Sequence, residues 1–226
     1  MCQFFSFVTD PVNHPAEYYH FDWEYRKAHL DDDGVDSHSH ICSHFNLNED
    51  VCNKYEFNPL TKMFTVDQIN SERDDSVAAE KWVKRLDLKT VVEPLIVKPI
   101  VNPFKLPKVE KPTDEQIGWL KDWSSVRASI VDSVRYSVWS SVRYSVWSSV
   151  RYSVRYSVWS SVGDSVWDSV GAYTSSFFAI DFKHDFSSAV NLWNAGLVPS
   201  FDGTVWRLHS GKNADIVYEW IPEVQE

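Results

Sequence analysis

Residues 133–170 read SVRYSVWSSVRYSVWSSVRYSVRYSVWSSVGDSVWDSV. They belong to a run in which serine recurs at every fourth position from Ser125 to Ser169, and valine follows each serine except at Ile130. An α-helix turns about 100° per residue, so a four-residue repeat drifts by about 40° each time and spreads the valines around the helix. A strand has a period of two, which keeps every valine on one face. Because valine, tyrosine and tryptophan also suit strands, the repeat predicts β-structure.

A single strand of this length would far exceed the usual range of about three to ten residues, so the chain must turn repeatedly. The small serine before each valine is suited to a corner. We therefore predict a β-solenoid over residues 125–172, in which each tetrad forms one side and the valines stack inside. Successive coils would pair about 4.8 Å apart, with either four sides in about three coils or three sides in about four coils.

Residues 1–90 predict a small α+β module that precedes the repeat. The apolar segment CQFFSFV predicts a strand, and a helix is expected after Ser37 or Ser39. The segment KYEFNPLTKMFTVDQ predicts a hairpin that turns at Asn58 and Pro59. A further helix is predicted in SVAAEKWVKRLD, where the apolar residues recur at helical intervals.

Two more segments complete the expected fold. Residues 91–124 carry five prolines, which predict an extended linker, and then a short capping helix that begins at Thr113 with Gln116 at the capping-box position. Residues 173–226 predict a C-terminal α/β cap, made of a helix closed by Gly196 and a β-meander. Such a cap is expected because a bare solenoid edge would pair with another molecule.

The composition is that of a folded, acidic chain. Hydrophobic residues make up 43% of the sequence and aromatic residues 15%, and the formal net charge is −10. The cysteines Cys2, Cys42 and Cys52 are odd in number and lack CxxC spacing, and the first residues lack the basic segment of a signal peptide. We therefore expect a cytoplasmic protein of a bacterial or phage-infected host cell. No apolar run approaches the roughly 20 residues that span a bilayer, so no membrane partner is expected.

Several segments carry a resemblance to known sequences: FFSFVTD, DSHSHIC, NKYEFNPLTKMFTVDQIN, the Ser-Val tetrads and LWNAGLVPSFDGTVWRLHSG. Together they resemble uncharacterised Ser-Val-x-x repeat proteins of bacteriophages and gut metagenomes. The resemblance covers nearly the whole chain and implies a bacterial or phage setting, without an activity. The repeat is also loosely similar to pentapeptide-repeat β-solenoids, some of which imitate DNA. Residues 125–172 hold five arginines against three aspartates, so the repeat is slightly basic, which argues against DNA mimicry.

The densest cluster of metal-ligating residue types is DSHSHICSH, residues 36–44. His40 and His44 would share one helix face, and zinc accepts both imidazole and thiolate, which makes His40, Cys42 and His44 the weak candidates for a metal site. The alternative is that a serine caps the helix, Cys42 is a small buried residue and the histidines are partly exposed. Because the spacing matches no ordinary zinc pattern, we expect neither a metal nor another cofactor.

The sequence predicts a protein that is not an enzyme. It contains no GxSxG, no HExxH, no P-loop and no GxGxxG among its seven glycines. An interaction protein, with a protein partner or with itself, is the expected function, and a nucleic-acid or nucleotide-binding effector of phage origin is the alternative.

The variable positions of the tetrads supply the candidate binding residues. Arginine, tryptophan and tyrosine stack on bases or sugars and pair with phosphate. The same side chains can instead cover and rigidify the scaffold, or form contacts between copies of the chain. The predicted binding surface consists of Arg135, Trp139, Arg143, Trp147, Arg151, Arg155, Trp159 and Trp167.

Overall fold

The computed structural model describes residues 5–29, 36–92, 94–127, 150–155 and 167–222. The described residues fall into two compact units. The N-terminal unit contains those up to Lys98, and the C-terminal unit contains those from Pro99 onwards. Each unit has its own antiparallel sheet and its own buried core.

The N-terminal unit is built on a four-stranded antiparallel sheet with the strand order β2-β1-β3-β4. The strands are β1 (Phe5–Asp10), β2 (His14–Tyr19), β3 (Asn53–Asn58) and β4 (Met63–Gln68). The α-helices are α1 (Trp23–Ala28), α2 (His38–His44) and α3 (Ser76–Val83). Short 3-10 helices lie at Glu49–Val51 and Leu88–Thr90.

Strand β1 is buried on both of its faces, because alternate side chains of a strand point to opposite sides of the sheet. Phe7 packs on one side against Trp82 of α3, with the ring centroids 4.9 Å apart. Val8 lies on the other side in a core cluster with Ile41 and Cys42 of α2. The run FSFVTD therefore forms a central strand covered by helices from two directions.

The local predictions for this unit are confirmed. The predicted hairpin forms between β3 and β4, and the Asn58 Oδ1 atom accepts hydrogen bonds from the backbone N–H groups of Leu60 and Thr61 in the turn. Helix α2 begins after Ser37, whose side chain accepts a hydrogen bond from the N–H of His40. These features depend on turn and capping chemistry that is encoded within a few residues.

The C-terminal unit combines helices with a three-stranded antiparallel meander in the order β5-β6-β7. Its helices are α4 (Asp114–Val126), α5 (150–155), α6 (Trp167–Ser175) and α7 (Ser187–Asn194), with a 3-10 helix at Pro103–Lys105. Its strands are β5 (Leu197–Phe201), β6 (Trp206–Ser210) and β7 (Asp215–Trp220). Among the described helices, none combines the length and the apolar character needed to cross a bilayer.

Both predicted helix ends in this unit are confirmed. The Thr113 hydroxyl accepts from the N–H of Gln116, and the Gln116 side chain accepts from the N–H of Thr113, which is a complete capping box. Gly196 follows α7 with φ of +80°, a conformation that favours glycine. A Cβ atom there would also lie 3.3 Å from the Leu106 Cβ atom, so the close approach adds a second reason for glycine.

The proline-rich segment after residue 98 packs against the helices of the C-terminal unit. The Val101 N–H donates to the Tyr173 hydroxyl, and the Val101 carbonyl accepts from the Trp193 indole at 2.8 Å. Phe104 is buried. Side chains of α6 and α7 therefore satisfy both polar backbone groups of Val101, and the buried Phe104 makes this segment part of the core.

The predicted β-solenoid is wrong. The structure has two small antiparallel sheets of four and three strands, and no sheet in the described ranges closes or coils into a solenoid. Every described part of the repeat is helical: residues 125–126 end α4, residues 150–155 form α5, and residues 167–172 belong to α6. The tetrad is therefore not one side of a β-coil, and residues 173–222 are part of a unit with its own core instead of the cap of a solenoid.

A four-residue repeat spreads the valines around a long helix but keeps them on one face of a short helix. Over two or three tetrads the drift amounts to about 40–80°, which fits inside an apolar helix stripe about 100° wide. Val150 and Val154, one tetrad apart, are both 0% exposed. The serine hydroxyls are also compatible with a helix, since Ser125 donates to the carbonyl of Asp122 at 2.7 Å.

Candidate functional surface

The structure describes only part of the predicted binding surface. Arg151 and Arg155 lie on α5, and Trp167 is the first residue of α6. The remaining predicted residues lie outside the described ranges: Arg135, Trp139, Arg143, Trp147 and Trp159.

On α5 the constant positions of the tetrad differ from the variable positions in their burial. Val150 and Val154 are fully buried in the C-terminal unit. Tyr152, between them in sequence, is 68% exposed, and Arg151 and Arg155 are partly exposed. The valines therefore hold this helix in place, while the arginine and tyrosine positions reach the surface.

Arg127, at the third position of the first tetrad, shows what an arginine of this repeat can bind. Its Nε atom lies 2.5 Å from Asp168 Oδ2. Its guanidinium carbon lies 4.7 Å from the centroid of the Phe201 ring and 5.7 Å from that of Trp206. A guanidinium is planar, so it can pair with a carboxylate at its edge while an aromatic ring covers its face. A carboxylate beside an aromatic ring is therefore the recognition element used within this chain.

The structure separates the three candidate metal ligands. His40 and His44 lie around the ring of Tyr25: the Tyr25 hydroxyl is 3.2 Å from His40 Nε2, and the ring centroids of Tyr25 and His44 are 4.8 Å apart. Cys42 instead points into the core beside Val8. In the described residues, no group of three or more His, Cys, Asp or Glu side chains is arranged to hold a metal ion.

Cys42 and Cys52 are free thiols, and both are buried in the same core cluster. A hydrogen bond with the Cys42 thiol, together with burial, raises the pKa of Cys52 far above its usual value. The thiolate is the reactive form of cysteine, so the raised pKa lowers the reactivity of Cys52 at neutral pH.

A polar network missed by the sequence analysis joins α3 to the sheet. The Asp75 Oδ1 atom accepts hydrogen bonds from Thr9 Oγ1 at 3.1 Å, from Asn53 Nδ2 at 2.8 Å and from the Tyr55 hydroxyl at 2.6 Å. Burial and this carboxylate raise the pKa of Tyr55 well above its usual value. Asp75 directly precedes a helix, which suggests a capping residue, but Asp74 accepts from the N–H of Ser76 instead. The network therefore has a structural role: it holds the start of α3 against the sheet.

A second buried polar contact also lies in the N-terminal unit. Arg26 is 1% exposed, and its Nη2 atom lies 3.0 Å from Asp36 Oδ1. The Arg26 Nε group donates to the carbonyl of Phe21 at 3.2 Å. The two charges are therefore desolvated together, and each depends on the other.

Comparison of the chain with protein-family models, with curated proteins and with solved structures found no match in any of the three. The resemblance to phage and metagenomic repeat proteins stays a prediction from the sequence. The function must therefore be argued from the chemistry of this chain's own residues.

Proposed function

We propose that this chain is an interaction protein, which binds a partner protein through arginine and tyrosine side chains of its repeat. The observation that carries the proposal is the difference in burial between the valines of α5 and its arginine and tyrosine residues. The buried pair Val150 and Val154 anchors the helix, so Tyr152 is displayed at the surface with the partly exposed Arg151 and Arg155 beside it. Tyrosine and arginine are enriched among the residues that dominate binding energy at protein interfaces.

The contact of Arg127 within the chain suggests the chemistry of the partner. That arginine engages the Asp168 carboxylate and the Phe201 ring together. An arginine on α5 would make the same contact with a partner surface that places an aspartate or glutamate beside an aromatic side chain. The tyrosine between the two arginines would supply apolar contact area at a low entropic cost.

Nucleic acid is the alternative partner, since arginine also pairs with phosphate and tyrosine also stacks on bases. The negative net charge of the chain argues against nucleic acid as the partner. The net charge is −10, and residues 1–98 contain 18 acidic and 10 basic residues. A polyanion would be repelled by a chain of this net charge.

We also propose that the protein acts in the cytoplasm of a bacterial or phage-infected cell. Cys42 and Cys52 lie in one core cluster as free thiols. Neighbouring thiols that are not joined as a disulfide persist in a reducing compartment, which supports the proposal.

The decisive experiment compares three forms of the protein in affinity capture from a bacterial lysate, with quantitative mass spectrometry. The binding variant combines Arg151→Ala, Tyr152→Ala and Arg155→Ala. The matched control combines Lys81→Ala and Lys89→Ala, which removes two exposed cations from the N-terminal unit. We expect the proteins enriched by the wild type to be lost with the binding variant and retained with the control. Retention of the same proteins by all three forms would contradict the proposal.

Two further measurements separate the alternatives. Fluorescence anisotropy with a labelled DNA duplex tests nucleic-acid binding, and sedimentation velocity tests self-association. A duplex affinity or a dimer that is lost in the binding variant and kept in the lysine control would replace the partner protein with nucleic acid or with a second copy. Thermal melting should place all three forms within a few degrees, because substitutions on a surface usually change stability by less than about 0.5 kcal/mol each.

A further inference from the structure

A serine and a histidine of the C-terminal sheet are joined in the manner of a nucleophile and its base. The Ser200 Oγ atom on β5 lies 2.7 Å from the Nε2 atom of His209 on β6. In the antiparallel register Val198 is opposite His209, and Ser200 is opposite Arg207. Side chains of paired residues lie on the same face, so Ser200, His209 and Arg207 share one side of the sheet.

The other nitrogen of His209 fixes the position of its proton. The Nδ1 atom lies 3.0 Å from the carbonyl oxygen of Ala214, and a carbonyl can only accept a hydrogen bond. Nδ1 therefore carries the hydrogen, and Nε2 of the neutral ring has a free lone pair. It follows that the Ser200 hydroxyl donates its proton towards Nε2.

The turn between β6 and β7 holds that carbonyl in place. Ala214 has φ of +55°, and its N–H donates to the carbonyl of Gly211 at 2.9 Å. Gly211 itself has φ of +71°, so two residues of the turn adopt the left-handed conformation. Ala214 is thus a positioning residue, whose backbone orients the imidazole as a carboxylate does in a catalytic triad.

The surroundings keep His209 in its neutral form. Burial is the main cause that lowers the pKa of His209, and the nearby positive charge of Arg207 lowers it further. Arg207 is held by ion pairs with Asp202 and with Glu219 at 2.8 Å. The imidazole is therefore neutral at pH 7, which is the form a general base requires.

We infer that Ser200 is a nucleophile that takes the acyl group of a small activated ester. This activity goes beyond the proposed binding function and rests on different residues. In the reaction the Ser200 oxygen attacks the carbonyl carbon of the ester, and the serine proton passes to His209 Nε2. The bond from that carbon to the leaving oxygen breaks, and His209 Nε2 passes the proton on to that oxygen, so the alcohol or phenol departs and the acyl group stays on Ser200. Ser200 is 6% exposed, which restricts the substrate to small acyl groups.

The test uses a small alkyl fluorophosphonate on the full-length protein, followed by intact mass and peptide mapping. The serine oxygen bonds to phosphorus, fluoride leaves, and the proton passes to His209. We expect one adduct, on Ser200. Ser210 is the internal control, because it is a buried serine whose hydroxyl donates to the Gly196 carbonyl and accepts from the Val109 N–H. An adduct absent from Ser200 in the folded protein, or equally present on Ser210, would overturn the inference.

Two variants and a pH series identify the role of the histidine. Ser200→Ala should lose the adduct, and His209→Gln should slow labelling of Ser200 by at least about tenfold, since general-base catalysis contributes about 10²–10⁴-fold. The wild-type rate should be constant above about pH 6.5 and fall in acid, when His209 takes up a proton. A rate on the folded wild type that is the same at pH 5 and pH 8 would overturn the base role, whether or not the His209 variant folds.

Discussion

The Arg127 Nε atom lies 2.5 Å from the Asp168 Oδ2 atom, 41 positions along the chain, and joins the C-cap of α4 to the first turn of α6. The side chains are 35% and 28% exposed, so solvent screens the pair in part. The ring of Phe201 covers the guanidinium from one side. The contact therefore combines an ion pair with a cation–π interaction at the two ends of the repeat.

Removal of this contact should lower stability modestly. We expect Arg127→Ala to reduce the free energy of unfolding by about 1–2 kcal/mol, because a partly exposed ion pair and a cation–π contact each contribute about 1 kcal/mol. Arg127→Lys should be more stable than Arg127→Ala but less stable than the wild type, since an ammonium lacks the planar face that stacks on Phe201. Urea unfolding at low and high salt measures the effect, and the wild-type advantage should shrink in high salt. An Arg127→Ala protein as stable as the wild type would contradict this account.

The buried pair Arg26 and Asp36 should be far more sensitive. We expect Asp36→Ala to cost about 3–5 kcal/mol, because it removes the carboxylate that balances the buried charge of the Arg26 guanidinium. The double variant Arg26→Met, Asp36→Leu should recover most of the loss, since it removes both charges. The exposed pair Lys84 and Glu80 is the matched control, and Glu80→Ala should change stability by less than about 0.5 kcal/mol. Equal effects at the two pairs in chemical denaturation would refute the prediction.

The two core thiols should be protected from modification. In a Cys2→Ser background, we expect Cys42 and Cys52 to remain unreactive towards an aromatic disulfide reagent in the native protein, because both are buried and the pKa of Cys52 is raised. Both should react within minutes in denaturant, which is the positive control. Fast modification of either thiol under native conditions would show that the core cluster opens.

Metal content tests the sequence prediction for His40, Cys42 and His44. Elemental analysis of protein purified without a histidine tag should find less than about one-tenth of an equivalent of zinc, iron or manganese. The physical reason is that Cys42 lies in the core cluster, whereas the two histidines contact Tyr25. A full equivalent of metal that disappears in a His40→Ala, His44→Ala variant would prove the prediction wrong.

Stability should decline in mild acid. Burial lowers the pKa of both His20 and His209 in the folded state, so the unfolded chain binds protons first as the pH falls below about 6.5. The free energy of unfolding should therefore be constant above that pH and decrease between about pH 6.5 and pH 5, above the range where ordinary carboxylates titrate. His20→Phe and His209→Gln should each flatten this decline. A wild-type stability that rises as the pH falls through this window would contradict the sign.

Short-range features of the fold could be predicted because their causes lie within a few residues. Ser37 caps α2, Asn58 closes the hairpin, and Thr113 with Gln116 forms a capping box, all through hydrogen bonds between near neighbours. Gly196 ends its helix because glycine adopts positive φ without strain. In each case the side chain that specifies the structure is adjacent to the backbone it satisfies.

The candidate sites depend on contacts that no local pattern reveals. Asp75 looks like a helix cap, but its carboxylate bonds to Thr9 and Tyr55 of the sheet, 66 and 20 positions away. Ser200 and His209 meet because of the strand register of a hairpin. The predicted meander contained both residues, and the register of the two strands was the missing information.

The sequence by itself determined the helix caps at Ser37, Thr113 and Gly196 and the turn at Asn58, and it placed valine at constant intervals in the tetrads. It did not determine whether those tetrads are strands or helices, because serine, valine, tyrosine and tryptophan have only weak preferences that packing overrides. In the described tetrads the tertiary structure favours helix, because Val150 and Val154 are buried on one side of a short segment in the C-terminal core. Most of the stability of a short helix comes from such burial, which depends on the residues that surround it and not on its own sequence.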